Sequence, residues 1–86
     1  MEEYKLLSGE IIKLSDLSLE EQRHIIVIEE LIAKSEDYFK VYRQAFAPLK
    51  EGKYFDAKGL QQLHESPRYK VLSDLVALYH QKLFSK

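Results

Sequence analysis

At 86 residues the chain makes one domain with a thin core, because a domain of this size buries only about two-thirds of the surface its unfolded form exposes. Hydrophobic residues at 45% and charged residues at 31% place it among folding globular chains, away from the composition that leaves chains disordered. The absence of cysteine excludes a disulfide framework and thiolate chemistry, and a net charge of −1 lacks the basic excess usual in nucleic-acid domains.

Residues 4 to 14 hold two short apolar runs around Ser8 and Gly9, which predicts a β-hairpin or extended arm within residues 1–17. A lone hairpin is marginal in water, so it is expected to dock on helices or on a second copy. Ser18 with Glu21 three positions on forms a capping box, so a helix starts near Leu19. From there Ile25, Ile28, Ile32, Ser35, Phe39, Tyr42, Phe46 and Leu49 recur at three- and four-residue steps, the spacing of one helix face. The pattern passes through Ser35 without a phase shift, which predicts one long amphipathic helix over 19–47, ended by Pro48. A break at Ser35 is the alternative, since Glu36 and Asp37 suit the first turn of a new helix.

Gly52 marks a turn, and Asp56 caps a short helix over 57–64 that Gly59 weakens. Ser66 and Pro67, a cap serine followed by proline at the first helical position, start a terminal helix over 67–84. Its apolar residues, from Val71 to Leu83, cover a stripe broad enough for more than one neighbour. The fold expected is mainly α: a long helix packed with a short and a C-terminal helix, preceded by a hairpin. An unbroken 19–47 helix would be on the order of 43 Å long, overhanging the roughly 27 Å of cover from the last helix. A continuous helix therefore predicts a symmetric homodimer, and a broken one a compact bundle.

No spacing of His, Asp or Glu suggests a metal site: Glu20 and His24 lie one turn apart but lack a third ligand, and their plainer reading is a surface pair. No nucleophile constellation, positioned acid-base pair or phosphate loop is present, so no catalytic residue, cofactor or enzymatic activity is expected. Two surfaces remain. Tyr38, Phe39, Tyr42 and Phe46 form an aromatic stretch at helical spacing, read either as core or as a partner interface. Ser66, Arg68 and Lys70 place two cations around a helix N-terminus, where an anion or nucleic acid could bind; the plainer reading is that both are solvated.

Charge is uneven along the chain. Residues 1–47 carry six Lys/Arg against ten Asp/Glu, and residues 48–86 seven against four, so the halves stand at −4 and +3. That asymmetry suits head-to-tail packing or steering of a charged partner. Met1, Glu2, Glu3 and Tyr4 make an acidic start where an export signal is basic, and the longest aliphatic run, 25–28, is too short to span a bilayer. The reading is a small cytoplasmic, non-enzymatic interaction or regulatory module without membrane contact, which binds itself and another protein through Tyr38 to Phe46. The alternative is a nucleic-acid regulator with a helix-turn-helix-like C-terminal half using Arg68, Lys70, Lys58 and Lys53.

Overall fold

The computed structural model describes residues 3–85; Met1 and Glu2 of the expected arm, and Lys86, lie outside the described residues. A hairpin of β1 (Glu3–Lys5) and β2 (Ile11–Lys13) leads through a 3-10 turn into four helices: α1 (Leu19–Ala33), α2 (Tyr38–Lys50), α3 (Ala57–Glu65) and α4 (Pro67–Phe84). The strands pair antiparallel with Tyr4 opposite Ile12. Gly9 closes the turn at a φ of 96°, a conformation natural to glycine. The hairpin docks on the helices: Ile12 and Leu6 are buried, the Tyr4 hydroxyl donates to Glu29 at 2.7 Å, and Asp74 of α4 accepts the Leu7 N–H at 2.8 Å. Burial, and then the hydrogen bond and negative charge of Glu29, push the Tyr4 phenol well above its ordinary range.

Helix starts follow their caps. Ser18 accepts the Glu21 N–H at 3.1 Å while Glu21 accepts the Ser18 N–H at 3.0 Å; Asp56 caps α3, and Ser66 caps α4 ahead of Pro67.

The continuous helix over 19–47 does not form; the chain breaks at Ser35. Ser35 takes a left-handed φ of 56°, its N–H donates to the Ile32 carbonyl at 3.0 Å, and the Glu36 N–H reaches back to Leu31 at 3.1 Å. These two bonds are a Schellman motif, which satisfies the last carbonyls of α1 and turns the chain away. The following helix is capped by Asp37, which accepts the Lys40 N–H at 3.1 Å. A non-glycine residue in the left-handed region costs on the order of 1 kcal/mol. Ser35→Gly is therefore expected to raise stability by about 0.5 to 1 kcal/mol in urea denaturation, with the helical content unchanged. A fall in stability would contradict this geometry.

The turn also rotates the buried face. On α1 the expected seam holds, with Ile25 and Ile28 wholly enclosed. On α2 the enclosed line is Val41, Ala45 and Leu49, while Phe39 and Tyr42 are 64% and 47% exposed. With the two helices folded together, the principal extents are 37 × 28 × 23 Å, shorter in every direction than the expected rod. With the helix broken, the outcome is the compact bundle, and no overhanging rod needs cover from a second chain. α4 lies at the centre of the fold, packed on α1, α2 and α3, and encloses Val71 and Leu72.

Pro48 does not end its helix at Ala47, because α2 continues to Lys50. Proline has no N–H for the Gln44 carbonyl, and His24 of α1 replaces it: Nε2 approaches that carbonyl at 2.8 Å. A carbonyl only accepts, so Nε2 carries the proton, and Nδ1 is buried without a partner among the described residues. His24 thus joins α1 to α2 instead of forming a surface pair with Glu20. His24→Ala is expected to lower stability by about 1 kcal/mol. In a Pro48→Ala background the new N–H can take the carbonyl, so the loss should fall below about 0.5 kcal/mol in a double-mutant cycle. An equal loss in both backgrounds would disprove this account of Pro48.

Candidate docking groove

Because the left-handed turn at Ser35 rotates the face that α2 buries, the aromatic stretch comes to lie at the edge of the core. Tyr38 stays half-buried and serves as its hub, with ring centroids of Tyr79, His80 and Phe84 at 6.4, 5.3 and 5.7 Å. Tyr42 packs edge-on to Phe46 at 4.9 Å, and Phe46 meets Tyr69 at 5.5 Å. These pairs run α2 and α4 antiparallel, Tyr38 against the end of α4 and Phe46 against its start.

Between the two helices lies an open groove of about 420 Å³. Tyr38, Tyr42, Phe46 and Lys50, each one turn after the last, form one wall. Tyr69, Ser73, Ala77 and His80 form the other, and Phe84, 61% exposed, continues the aromatic line past His80. The α4 wall was not singled out from sequence, although its spacing is regular: Tyr69, Ser73, Ala77, His80 and Phe84 follow at steps of four, four, three and four. That rhythm was hidden within the broader apolar stripe of α4.

The electrostatics of the groove are one-sided. α2 contains Lys40, Arg43 and Lys50 and no carboxylate, and no carboxylate lines the groove. Lys40 pairs with Glu36 at 3.6 Å, whereas Arg43 and Lys50 have no carboxylate within 4.0 Å among the described residues. Phe39, Arg43, Phe46 and Lys50 follow at steps of four, three and four, so these two cations share an edge of α2 with exposed aromatic surface.

The start of α4 is arranged differently. The Ser66 hydroxyl accepts the Tyr69 N–H at 3.2 Å. Arg68 faces Glu21 at 3.7 Å, and Lys70 faces Glu10 at 3.0 Å. Both cations are therefore met by carboxylates of α1 and the hairpin, which lessens their attraction for an external anion. Ser66 ends α3 and caps α4, so one residue joins the helices where a helix-turn-helix uses a turn of three or four. Lys53 and Lys58 are exposed, in the loop before α3 and on α3 itself.

The chain matches no protein-family model, no curated protein and no solved structure. Its site is therefore weighed on its own chemistry. Among the described residues no three His, Asp or Glu side chains lie close enough to hold a metal, and no helix is long and apolar enough to cross a membrane. What the groove offers is aromatic area, hydroxyls and cations along a concave surface, a combination suited to binding.

Proposed function

We propose that this chain is a small non-enzymatic interaction module whose α2–α4 groove receives a segment of another protein. Its action in the cytoplasm would be regulatory, exerted by occupancy and not by chemistry. The observation that supports this most is the exposure of Tyr42, 47% open in the groove wall, together with Phe39 and Phe84, 64% and 61% exposed and each packed on Tyr38 at the end of the groove. Tyrosine and phenylalanine in such a setting are frequent anchors, because they bury much area at little loss of side-chain freedom.

Nucleic acid is the weaker reading. The cations expected to carry it, Arg68 and Lys70, are engaged by Glu21 and Glu10, and the α3–α4 junction is too short for the reader-helix arrangement. A homodimer is likewise weaker than from sequence, since the chain now covers Ile25, Ile28, Val41 and Leu49 by itself.

The test is affinity capture from the native host, with and without nuclease, comparing the wild type with Phe39→Ala/Tyr42→Ala. Both side chains are exposed enough for the variant to keep its circular dichroism and most of its stability. The expected result is a nuclease-resistant protein retained by the wild type and reduced by about tenfold or more on the variant, since truncating two interface anchors removes on the order of 2 kcal/mol or more. Equal retention on both would remove the groove from consideration, and loss of all retained material on nuclease treatment would favour nucleic acid.

A further inference from the structure

We infer that the segment the groove receives is an acidic amphipathic helix, with its apolar side chains between the aromatic walls and its carboxylates on Arg43 and Lys50. This rests on the docking reading above and adds the chemical class of the partner.

Shape comes first. From Tyr38 to Lys50 the α2 wall rises about 18 Å, the length of about three helical turns. The groove is a trough between two antiparallel helices, and both walls repeat at helical steps. An incoming helix with apolar side chains at positions i, i+3 or i+4, and i+7 matches that spacing, which is the helix-in-groove mode of recognition. The hairpin strands, where an extended peptide could add by backbone pairing, do not line the groove.

Charge decides the class of helix. The lining holds Lys50 and no carboxylate, and Arg43 lies on the same edge of α2. Neither cation has a carboxylate within 4.0 Å among the described residues, Glu51 next to Lys50 in the chain included, whereas Lys40, Arg68 and Lys70 are met by Glu36, Glu21 and Glu10. Asp74, the one acid of α4, accepts the Leu7 N–H on the hairpin side. The net charge of −1 for the whole chain thus does not describe α2, which carries Lys40, Arg43 and Lys50 and no acid. Two unpaired cations beside a trough of aromatic rings and hydroxyls favour a partner that brings carboxylates and disfavour one that brings lysine or arginine. Hydroxyls add to this. Tyr4 and Tyr79 use theirs inside the fold, on Glu29 and the Glu36 carbonyl, whereas Tyr42 and Tyr69 line the groove and bond no other described residue through theirs. A phenol donates readily to a carboxylate.

A single nucleic-acid strand would also meet cations and aromatics, but it needs ring faces on which bases stack. Here Tyr38 meets Phe39 at 73° and Phe84 at 87°, Tyr42 meets Phe46 at 64°, and the pairs of Tyr38 with Tyr42 and Tyr79 and of Phe46 with Tyr69 are tilted at 36° to 46°. The rings thus engage one another at angles instead of standing as a row of parallel platforms for successive bases.

The experiment is a selection from a display library of peptides of about 16 residues, long enough for four helical turns. It is run in parallel on the full-length wild type and on Phe39→Ala/Tyr42→Ala. Binders that enrich only on the wild type are the groove-dependent set. The expected set is net acidic, with apolar residues at i, i+3 or i+4, and i+7. Arg43→Glu/Lys50→Glu, which changes two exposed side chains, should weaken those peptides by about tenfold or more, and raising salt should weaken them in the wild type alone. A groove-dependent set that is neutral or basic overturns the acidic assignment and leaves the docking reading standing. No groove-dependent set at all overturns both. Tighter binding of an oligouridine strand than of any selected peptide, lost on the same variants, overturns the choice of a protein partner.

Discussion

Leu72→Ala is expected to lower stability by about 3 kcal/mol, within the usual range for truncating an enclosed leucine. Leu72 has no exposed surface and lies on α4, the helix around which the others pack. Removing its isobutyl group loses transfer free energy and leaves a cavity whose walls come from several elements, so no single helix can shift to fill it. A domain of this length holds a total stability of roughly 5 to 10 kcal/mol, so the variant would lose about 30% to 60% of it. Thermal unfolding followed by circular dichroism should show the midpoint lower by on the order of 15 °C. Leu78→Ala on the same helix, where the side chain is 47% exposed, is the control, with an expected loss under about 1 kcal/mol. Similar losses at the two positions would mean that α4 does not present this face to the core.

Tyr79→Phe is expected to destabilise by about 1.5 kcal/mol, through a hydrogen bond that the sequence gives no reason to expect. The Tyr79 hydroxyl donates to the Glu36 carbonyl, in the segment between α1 and α2, and the ring is 97% enclosed at 3% exposure. Phenylalanine keeps the packing and leaves the carbonyl without its donor, so the loss reports the bond and not the ring. Because this contact fixes the Ser35 turn to α4, the variant should also accelerate amide hydrogen exchange at Ser35 and Glu36, whose N–H groups close the Schellman motif. Destabilisation without faster exchange there would place the role of the hydroxyl elsewhere. Since Tyr79 adjoins Tyr38, the hub of the groove, loosening this turn should also weaken partner binding, in step with the exchange.

Much of the local structure is legible from residue types. Ser8 and Gly9 mark the hairpin turn, Ser18 with Glu21 the start of α1, Asp56 the start of α3, and Ser66 with Pro67 the start of α4. Each signal concerns backbone groups within a few residues of the cap, so no distant contact is needed to interpret it. The division of the long helix was harder to read. A glycine at position 35 would have marked it, but serine is a rare occupant of the left-handed position, and the regular three-and-four spacing hid the phase change. Pro48 misled in the opposite sense. Local chemistry predicts a stop there, and a histidine twenty-four residues earlier supplies the missing donor.

The candidate site divides along the same line. Tyr38, Phe39, Tyr42 and Phe46 stand out as an aromatic stretch by composition and spacing alone, but whether such a stretch is core or surface depends on which face a helix buries. That is decided by docking. Only after the Ser35 turn rotates α2 and α4 packs against it does Tyr38 become half-buried against the core while Phe39 and Tyr42 face outward, with His80 and Phe84 supplied from the far end of the chain. The pairing of Arg68 with Glu21 and of Lys70 with Glu10 spans forty-seven and sixty residues, beyond the reach of any local pattern. The sequence by itself determined a single mainly helical domain with a leading hairpin, its helix starts and its charge asymmetry, because these follow from caps, periodicity and composition. Tertiary packing alone decided where the long helix divides, which cations are neutralised and which aromatic rings remain open to a partner, because each depends on groups that meet only when distant segments fold together.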